Sequence, residues 1–124
     1  MKILTWNCNG ALRNKFKLLN KYSADLLVIQ ECENPATTKD IRYKAWATNY
    51  LWTGENQHKG LAIFARKNIQ LRIQDWNTDG LRYFISCRIN DSFNLVAVWC
   101  HGNTPDFPYI GQFWKYLQQQ YLLG

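Results

Sequence analysis

The sequence predicts a mixed β-sheet flanked by helices, an α/β (α+β) fold, on three observations. Ile3-Leu4-Thr5-Trp6-Asn7 and Asp25-Leu26-Leu27-Val28-Ile29-Gln30-Glu31 are apolar runs that end in polar groups. Between them, Leu12, Phe16, Leu19 and Tyr22 recur at helical spacing among lysines and asparagines. Beyond the loop Asn34-Pro35-Ala36-Thr37-Thr38, the pattern turns to short strands.

The first run is a strand and the segment after it an amphipathic helix laid on a sheet. The second run is apolar at nearly every position, as expected of a strand covered on both faces. Further strands are expected over 43–52, 60–66, 69–75, 83–89 and 94–100. Gly54 to Gly60 forms a loop between the first two of these. Asn77-Thr78-Asp79-Gly80 and Asn90-Asp91-Ser92 read as turns, so the last two strands form a hairpin. Asp106 followed by Pro108 marks a helix start, since a carboxylate caps free amides and proline suits the first turn. Ile110, Phe113, Trp114, Leu117 and Tyr121 give that helix its apolar face.

A chain of 124 residues, 47% hydrophobic, is one domain or part of one and has enough apolar surface for a core. No apolar stretch reaches the length of a membrane span, and the apolar part of the N-terminus is too short for a signal peptide. A cytoplasmic product is the expectation, with no membrane partner. Cys8, Cys32, Cys87 and Cys100 form no Cys-x-x-Cys pair and sit in or beside apolar strands, where free cysteine packs as a small hydrophobe. The net charge of +6 favours a polyanionic partner.

Two consecutive strands joined by a helical crossover lie parallel. Asn7 and Glu31 then emerge at one edge of the sheet, where α/β proteins place their ligands. An amide and a carboxylate meeting there make one side of a divalent-metal and phosphate site, because Mg²⁺ takes hard oxygen ligands, often one or two carboxylates with phosphate and water. Each residue also has a plainer reading: Glu31 as a solvated strand end, Asn7 as an amide capping the segment that follows. Glu33 reads as a surface charge, and Asn9 as the cap of a helix beginning near Ala11. Lys59 is placed to touch a backbone phosphate or to be a solvated turn charge. Trp46 and Trp52 are candidates for base stacking, although core packing is the commoner fate of strand tryptophans.

These residues resemble the endonuclease/exonuclease/phosphatase superfamily. The resemblance rests on Trp6-Asn7-Cys8-Asn9-Gly10, Gln30-Glu31, Gly60-Leu61-Ala62-Ile63-Phe64-Ala65-Arg66, Phe93-Asn94-Leu95-Val96-Ala97-Val98-Trp99 and Ile110-Gly111-Gln112-Phe113-Trp114-Lys115-Tyr116-Leu117, in family order. It implies part of a four-layer α/β/β/α sandwich, of which this chain supplies about one sheet of two. It implies Glu31 as ligand to Mg²⁺ or Mn²⁺, Asn7 as a catalytic residue beside it, and His101 as donor to a phosphoryl oxygen. Trp99 stands where part of the family has a phosphate-contacting tyrosine, and Asn103 follows in the same loop.

The family's Gly-Asp-x-Asn and Asp-His motifs do not occur in the sequence, and neither His58 nor His101 follows an aspartate. Residues 1–124 therefore read as the N-terminal portion of such a domain. The full-length function implied is a metal-dependent phosphodiesterase, a nuclease, with the 124-residue chain inactive alone. The alternatives are a phosphatase acting on a lipid or small-molecule phosphoester and a non-enzymatic half-domain that binds nucleic acid or a protein. A sheet face left uncovered would drive self-association or pairing with a C-terminal half.

Overall fold

The computed structural model describes residues 1–74 and 84–99. The elements are β1 (Ile3–Asn7), two 3₁₀ segments (Leu12–Asn14 and Phe16–Tyr22), β2 (Leu26–Cys32), α1 (Ile41–Trp46), β3 (Tyr50–Asn56), β4 (Lys59–Ala65), β5 (Leu71–Ile73), β6 (Phe84–Ile89) and β7 (Phe93–Val98). They form a four-stranded sheet in the order β1-β2-β4-β3 and a three-stranded sheet in the order β5-β6-β7. The α+β class is as expected.

β1 and β2 are parallel, with Ile3 opposite Leu26 and Asn7 opposite Gln30. β4 runs antiparallel to both β2 and β3. The two-residue alternation along β2 and β4 sorts their side chains onto two faces. Leu26, Val28, Leu61 and Ile63 point one way and pack with Ile69, Ile85, Cys87, Ile89, Ala97 and Trp99 of the second sheet region. Ile29, Ala62 and Phe64 point the other way and pack with Leu12, Phe16, Leu19, Tyr43 and Ala47. The described part thus has a helical layer, a central sheet and a second sheet.

Several expectations are corrected here. The chain contributes strands to two sheets rather than one, and the inner face of the first sheet is covered by the second. The uncovered face on which self-association or pairing with a missing half was argued is therefore filled. Residues 41–46 are helical, although Tyr43 and Trp46 suit a strand. The Asp40 carboxylate caps the helix by accepting from the Tyr43 N–H at 2.9 Å, and Tyr43 and Ala47 then face the sheet one turn apart. The crossover is built of 3₁₀ turns rather than one amphipathic helix, with Tyr22 left exposed. The loop placed at Gly54 to Gly60 shrinks to a two-residue turn, because Asn56 and Lys59 are register partners. Asn56 Oδ1 closes that turn, accepting from the N–H groups of His58 at 2.9 Å and Lys59 at 3.3 Å.

The β6–β7 hairpin is present. Asn90 and Asp91 both take positive φ in its turn, a conformation that short polar side chains tolerate better than most. The turn expected at 77–80 and the helix expected after Asp106 lie outside the described residues.

Candidate active site

The parallel ladder of β1 and β2 continues past its last strand pair. The Cys8 N–H donates to the Gln30 carbonyl at 3.0 Å, and the Gly10 N–H donates to the Glu31 carbonyl at 2.9 Å. Asn7 and Glu31 therefore leave the sheet at one edge, on neighbouring strands. Asn7 is exposed, and its Oδ1 accepts from the Asn9 N–H at 3.1 Å. The turn that follows is tightly wound: Asn9, Gly10 and Ala11 all have positive φ, of 56°, 82° and 52°. Lys15 reaches back to hold it, donating to the carbonyls of Cys8 at 2.6 Å and Gly10 at 2.8 Å.

Glu31 also has a positive φ, 63°. It sits at the irregularity where β2 slips register against β4, between Gln30 and Cys32. A non-glycine residue in this region costs about 1–2 kcal/mol, and such a bulge re-aims a side chain. Trp52 of β3 supports the distortion. Its indole N–H donates to the Cys32 carbonyl at 3.1 Å. The ring lies against Gly60, where a Cβ would come within 2.4 Å of the indole and 2.3 Å of the Thr53 carbonyl. Trp46 is likewise a packing residue, stacked on Phe16 with centroids 5.2 Å apart.

The Glu31 side chain keeps 20% of its surface, and its Oε1 lies 3.9 Å from the Lys59 ammonium. Lys59 thus joins the edge from the β3–β4 turn. Trp99 is 7% exposed and packs in the core between the sheets, so it offers a phosphate little surface. His101 and Asn103 lie outside the described residues.

Two side chains that hold this edge were not anticipated in their roles. Gln30 Nε2 donates to Thr5 Oγ1 at 3.2 Å and to the Val98 carbonyl at 3.3 Å. It brings the C-terminal end of β7 to the C-terminal end of β2. Glu33, expected as a surface charge, is 7% exposed. Its carboxylate accepts from the Leu12 N–H at 2.9 Å, the Arg13 N–H at 3.3 Å and the Arg13 guanidinium at 2.9 Å. It supplies the cap expected of Asn9, because a carboxylate satisfies the free amides of a helical start. The pairing of Arg13 with Glu33 spans 20 residues, and nothing local in the sequence signals it.

Cys8 and Cys32 lie in one apolar cluster. Burial pushes both thiols up, and it raises the Tyr43 hydroxyl as well. The two cysteines are buried packing groups, and a raised thiol is the opposite of what activates a cysteine.

A divalent metal suits the donors at this edge: oxygen atoms from one carboxylate and one amide, with a cation, Lys59, already balancing the carboxylate. Among the described residues no three His, Cys, Asp or Glu side chains converge. Mg²⁺ is commonly held by one or two carboxylates with water and phosphate completing its shell.

The sequence matches the model of the Endonuclease/Exonuclease/phosphatase family over residues 4–124. A comparison with curated proteins finds no match. Among solved structures, the chain is similar to an AP endonuclease from Archaeoglobus fulgidus, with a TM-score of 0.63 and 17% identity over 98% of this chain and 50% of that one. It is also similar to the 3′-5′ exonuclease NExo from Neisseria meningitidis, with a TM-score of 0.59 and 22% identity over 99% of this chain and 50% of that one. A Neisseria 3′ phosphatase NExo bound to a product DNA hairpin gives the same score and identity, with 49% of its length covered. The chain spans about half the length of each of these proteins.

Proposed function

The chain belongs to the endonuclease/exonuclease/phosphatase family, and on that premise we propose that it carries part of the active site of a divalent-metal-dependent phosphodiesterase acting on nucleic acid. The observation that supports this most is the parallel β1–β2 pair, in which Asn7 stands opposite Gln30, the residue before Glu31, so that both polar groups close neighbouring strands at one edge. The net charge of +6 suits a polyanionic substrate, and two of the similar structures are a 3′ phosphatase bound to a product DNA hairpin and a 3′-5′ exonuclease, both from Neisseria.

In this reading Glu31 would hold Mg²⁺ or Mn²⁺, and Asn7 would orient the carboxylate or bind a phosphate oxygen. The metal, when bound, neutralises charge that builds on the phosphoryl oxygens. Lys59, 3.9 Å from Glu31, holds a non-bridging phosphate oxygen once substrate arrives. The bulge at Glu31 fixes the carboxylate before substrate binds, so little reorganisation is needed in the transition state. His101 is the donor proposed for a phosphoryl oxygen, with Asn103 beside it. The base that activates water and the aspartate that orients it are assigned to the portion of a full-length domain beyond residues 1–124, which makes this chain inactive alone.

The test is cleavage of a labelled DNA by the longest natural form, with and without chelator, comparing wild type with Glu31→Gln. Metal-dependent cleavage lost in the variant, with an unchanged melting temperature, supports the reading. An unchanged rate removes Glu31 from the site. Cleavage of a lipid or small phosphoester in preference to DNA redirects the substrate.

A further inference from the structure

At the end of the central sheet opposite Glu31, the helical layer stops short. The second 3₁₀ segment ends at Tyr22, and Ser23, with a positive φ of 50°, turns the chain toward β2. Helix α1 is six residues long and ends at Trp46. Between these two ends and the register partners Leu27 and Phe64 of β2 and β4, a cavity of about 350 Å³ remains. Small-molecule sites have volumes of about 300–1,000 Å³. Leu27 precedes Glu31 by four residues on β2, about 13 Å along a strand, so the cavity is separate from the proposed phosphoester edge.

Leu19, Leu27, Trp46 and Phe64 give the cavity an aliphatic and aromatic floor. Leu27 and Trp46 are only partly buried, although both pack against the core of the helical layer. Their remaining apolar surface is open to a ligand. Asn20, Ser23 and Thr48 are exposed at the rim. Asn49 ties down the turn at the mouth: its Nδ2 donates to the carbonyls of Arg66 at 2.9 Å and Ile69 at 2.6 Å. The backbone that carries Lys67 is thereby fixed.

Two cations, Arg66 and Lys67, and one acid, Asp25, line the cavity. Asp25 and Arg66 are spent on structure. Arg66 Nε lies 3.3 Å from Asp25 Oδ1, and the guanidinium donates to the carbonyls of Ala24 at 3.3 Å and Ser23 at 3.1 Å. Asp25 Oδ2 accepts from the Lys2 N–H at 2.8 Å. No ion pair links Lys67 to an acid among the described residues. The charge left over is one exposed ammonium at the mouth. The floor therefore suits a flat apolar body, the rim its hydrogen-bonding edges, and the mouth a single anionic group.

We propose that this cavity binds a nucleoside monophosphate, with the base on the floor of Leu27, Trp46 and Phe64, the sugar and base edges at the amide and hydroxyl rim, and the phosphate at Lys67. A plain aromatic acid would leave the rim unused, and free phosphate would leave the floor wet. The site stands whether or not the Glu31 edge cuts phosphoesters.

The experiment is isothermal titration of 2′-deoxyadenosine 5′-monophosphate into the 124-residue chain, in chelator so that no metal bridges the nucleotide to Glu31. One saturable site with a Kd below about 1 mM is expected. The nucleoside 2′-deoxyadenosine should bind about fivefold more weakly, and inorganic phosphate at least about tenfold more weakly. Lys67→Gln should weaken the monophosphate about fivefold and leave the nucleoside unchanged. Lys39→Gln, the same charge change outside the cavity, should leave both unchanged. Leu27→Phe, which fills the floor, should abolish binding of both.

Absence of saturable binding, equal losses in Lys67→Gln and Lys39→Gln, or unchanged binding in Leu27→Phe overturns the proposal. So does binding lost in Lys59→Met, which places the nucleotide at the Glu31 edge. If Leu27→Phe does not fold, Thr48→Phe at the exposed rim decides: blocked binding supports the site and unchanged binding overturns it.

Discussion

Oε1 of Glu31 and Nζ of Lys59 stand 3.9 Å apart, joined across the point where β2 slips register against β4. Because Lys59 is half exposed, the pair is worth no more than about 1 kcal/mol. Lys59→Met should therefore tighten Mn²⁺ binding to the chain up to about fivefold, while Glu31→Gln abolishes it. Titration of the free Mn²⁺ signal by paramagnetic resonance measures both. Weaker Mn²⁺ binding in Lys59→Met would show that the ammonium does not compete for the carboxylate.

Gly60 marks a point of close packing at this edge. A methyl group there would meet backbone at 2.3 Å and the Trp52 ring at 2.4 Å. The backbone carbonyl cannot swing aside, and the indole is tied to the Cys32 carbonyl. Gly60→Ala should cost about 2 kcal/mol or more, read as a lowered urea midpoint with the slope unchanged. A neutral effect would mean that the β3–β4 turn yields easily.

Ala11 behaves in the opposite sense. Its φ of 52° is unfavourable for alanine, and glycine adopts it without a Cβ clash. The relief, about 1–2 kcal/mol, exceeds the extra flexibility that glycine gives the unfolded chain, about 0.5–1 kcal/mol. Ala11→Gly should raise stability by about 0.5 kcal/mol, visible as a higher thermal midpoint. A lowered midpoint would show that the methyl group packs usefully.

Alkaline pH should unfold the protein by way of its buried thiols. Burial pushes Cys87 up to about 11 from 9.0, and Cys8, Cys32 and Tyr43 shift in the same direction. The folded state keeps the neutral thiol while the unfolded state ionises. The stabilising contribution of Cys87 is complete below pH 9.0 and is lost between there and about 11. Denaturation midpoints should fall over that window, and Cys87→Ala should flatten part of the fall. A midpoint that holds steady from pH 9.0 to 11 would show that the thiols ionise in place.

The parallel β1–β2 pair and its polar edge were legible because a parallel crossover leaves one arrangement for two apolar runs ending in Asn7 and Glu31. The β6–β7 hairpin was legible from Asn90-Asp91. The two-sheet division was not. Val28 and Ile29 are equally apolar, and only the packed structure shows that one faces the other sheet and its neighbour the helical layer. Helix α1 was hidden because Tyr43 and Trp46 have strand preferences that an Asp40 cap and a buried face override. Glu33 was misread for a related reason: its partners are 20 and 21 residues away in sequence, beyond the reach of any local pattern.

The strand order has a consequence for how the chain is made. Among the described residues, the first sheet draws its strands from residues 3–65, and the strands of the second extend to Val98. At about 5–20 residues per second, a ribosome needs about 2–7 s to supply the difference. During that interval a nascent sheet can already pair its backbone while Leu26, Val28, Leu61 and Ile63 still face water. Vectorial synthesis therefore passes through an adhesive half-built layer, and the hairpin of β6 and β7 arrives as the patch that ends it. Synonymous codons that slow translation between these two points should lengthen the exposure and increase chaperone occupancy, although the mature protein would be chemically identical.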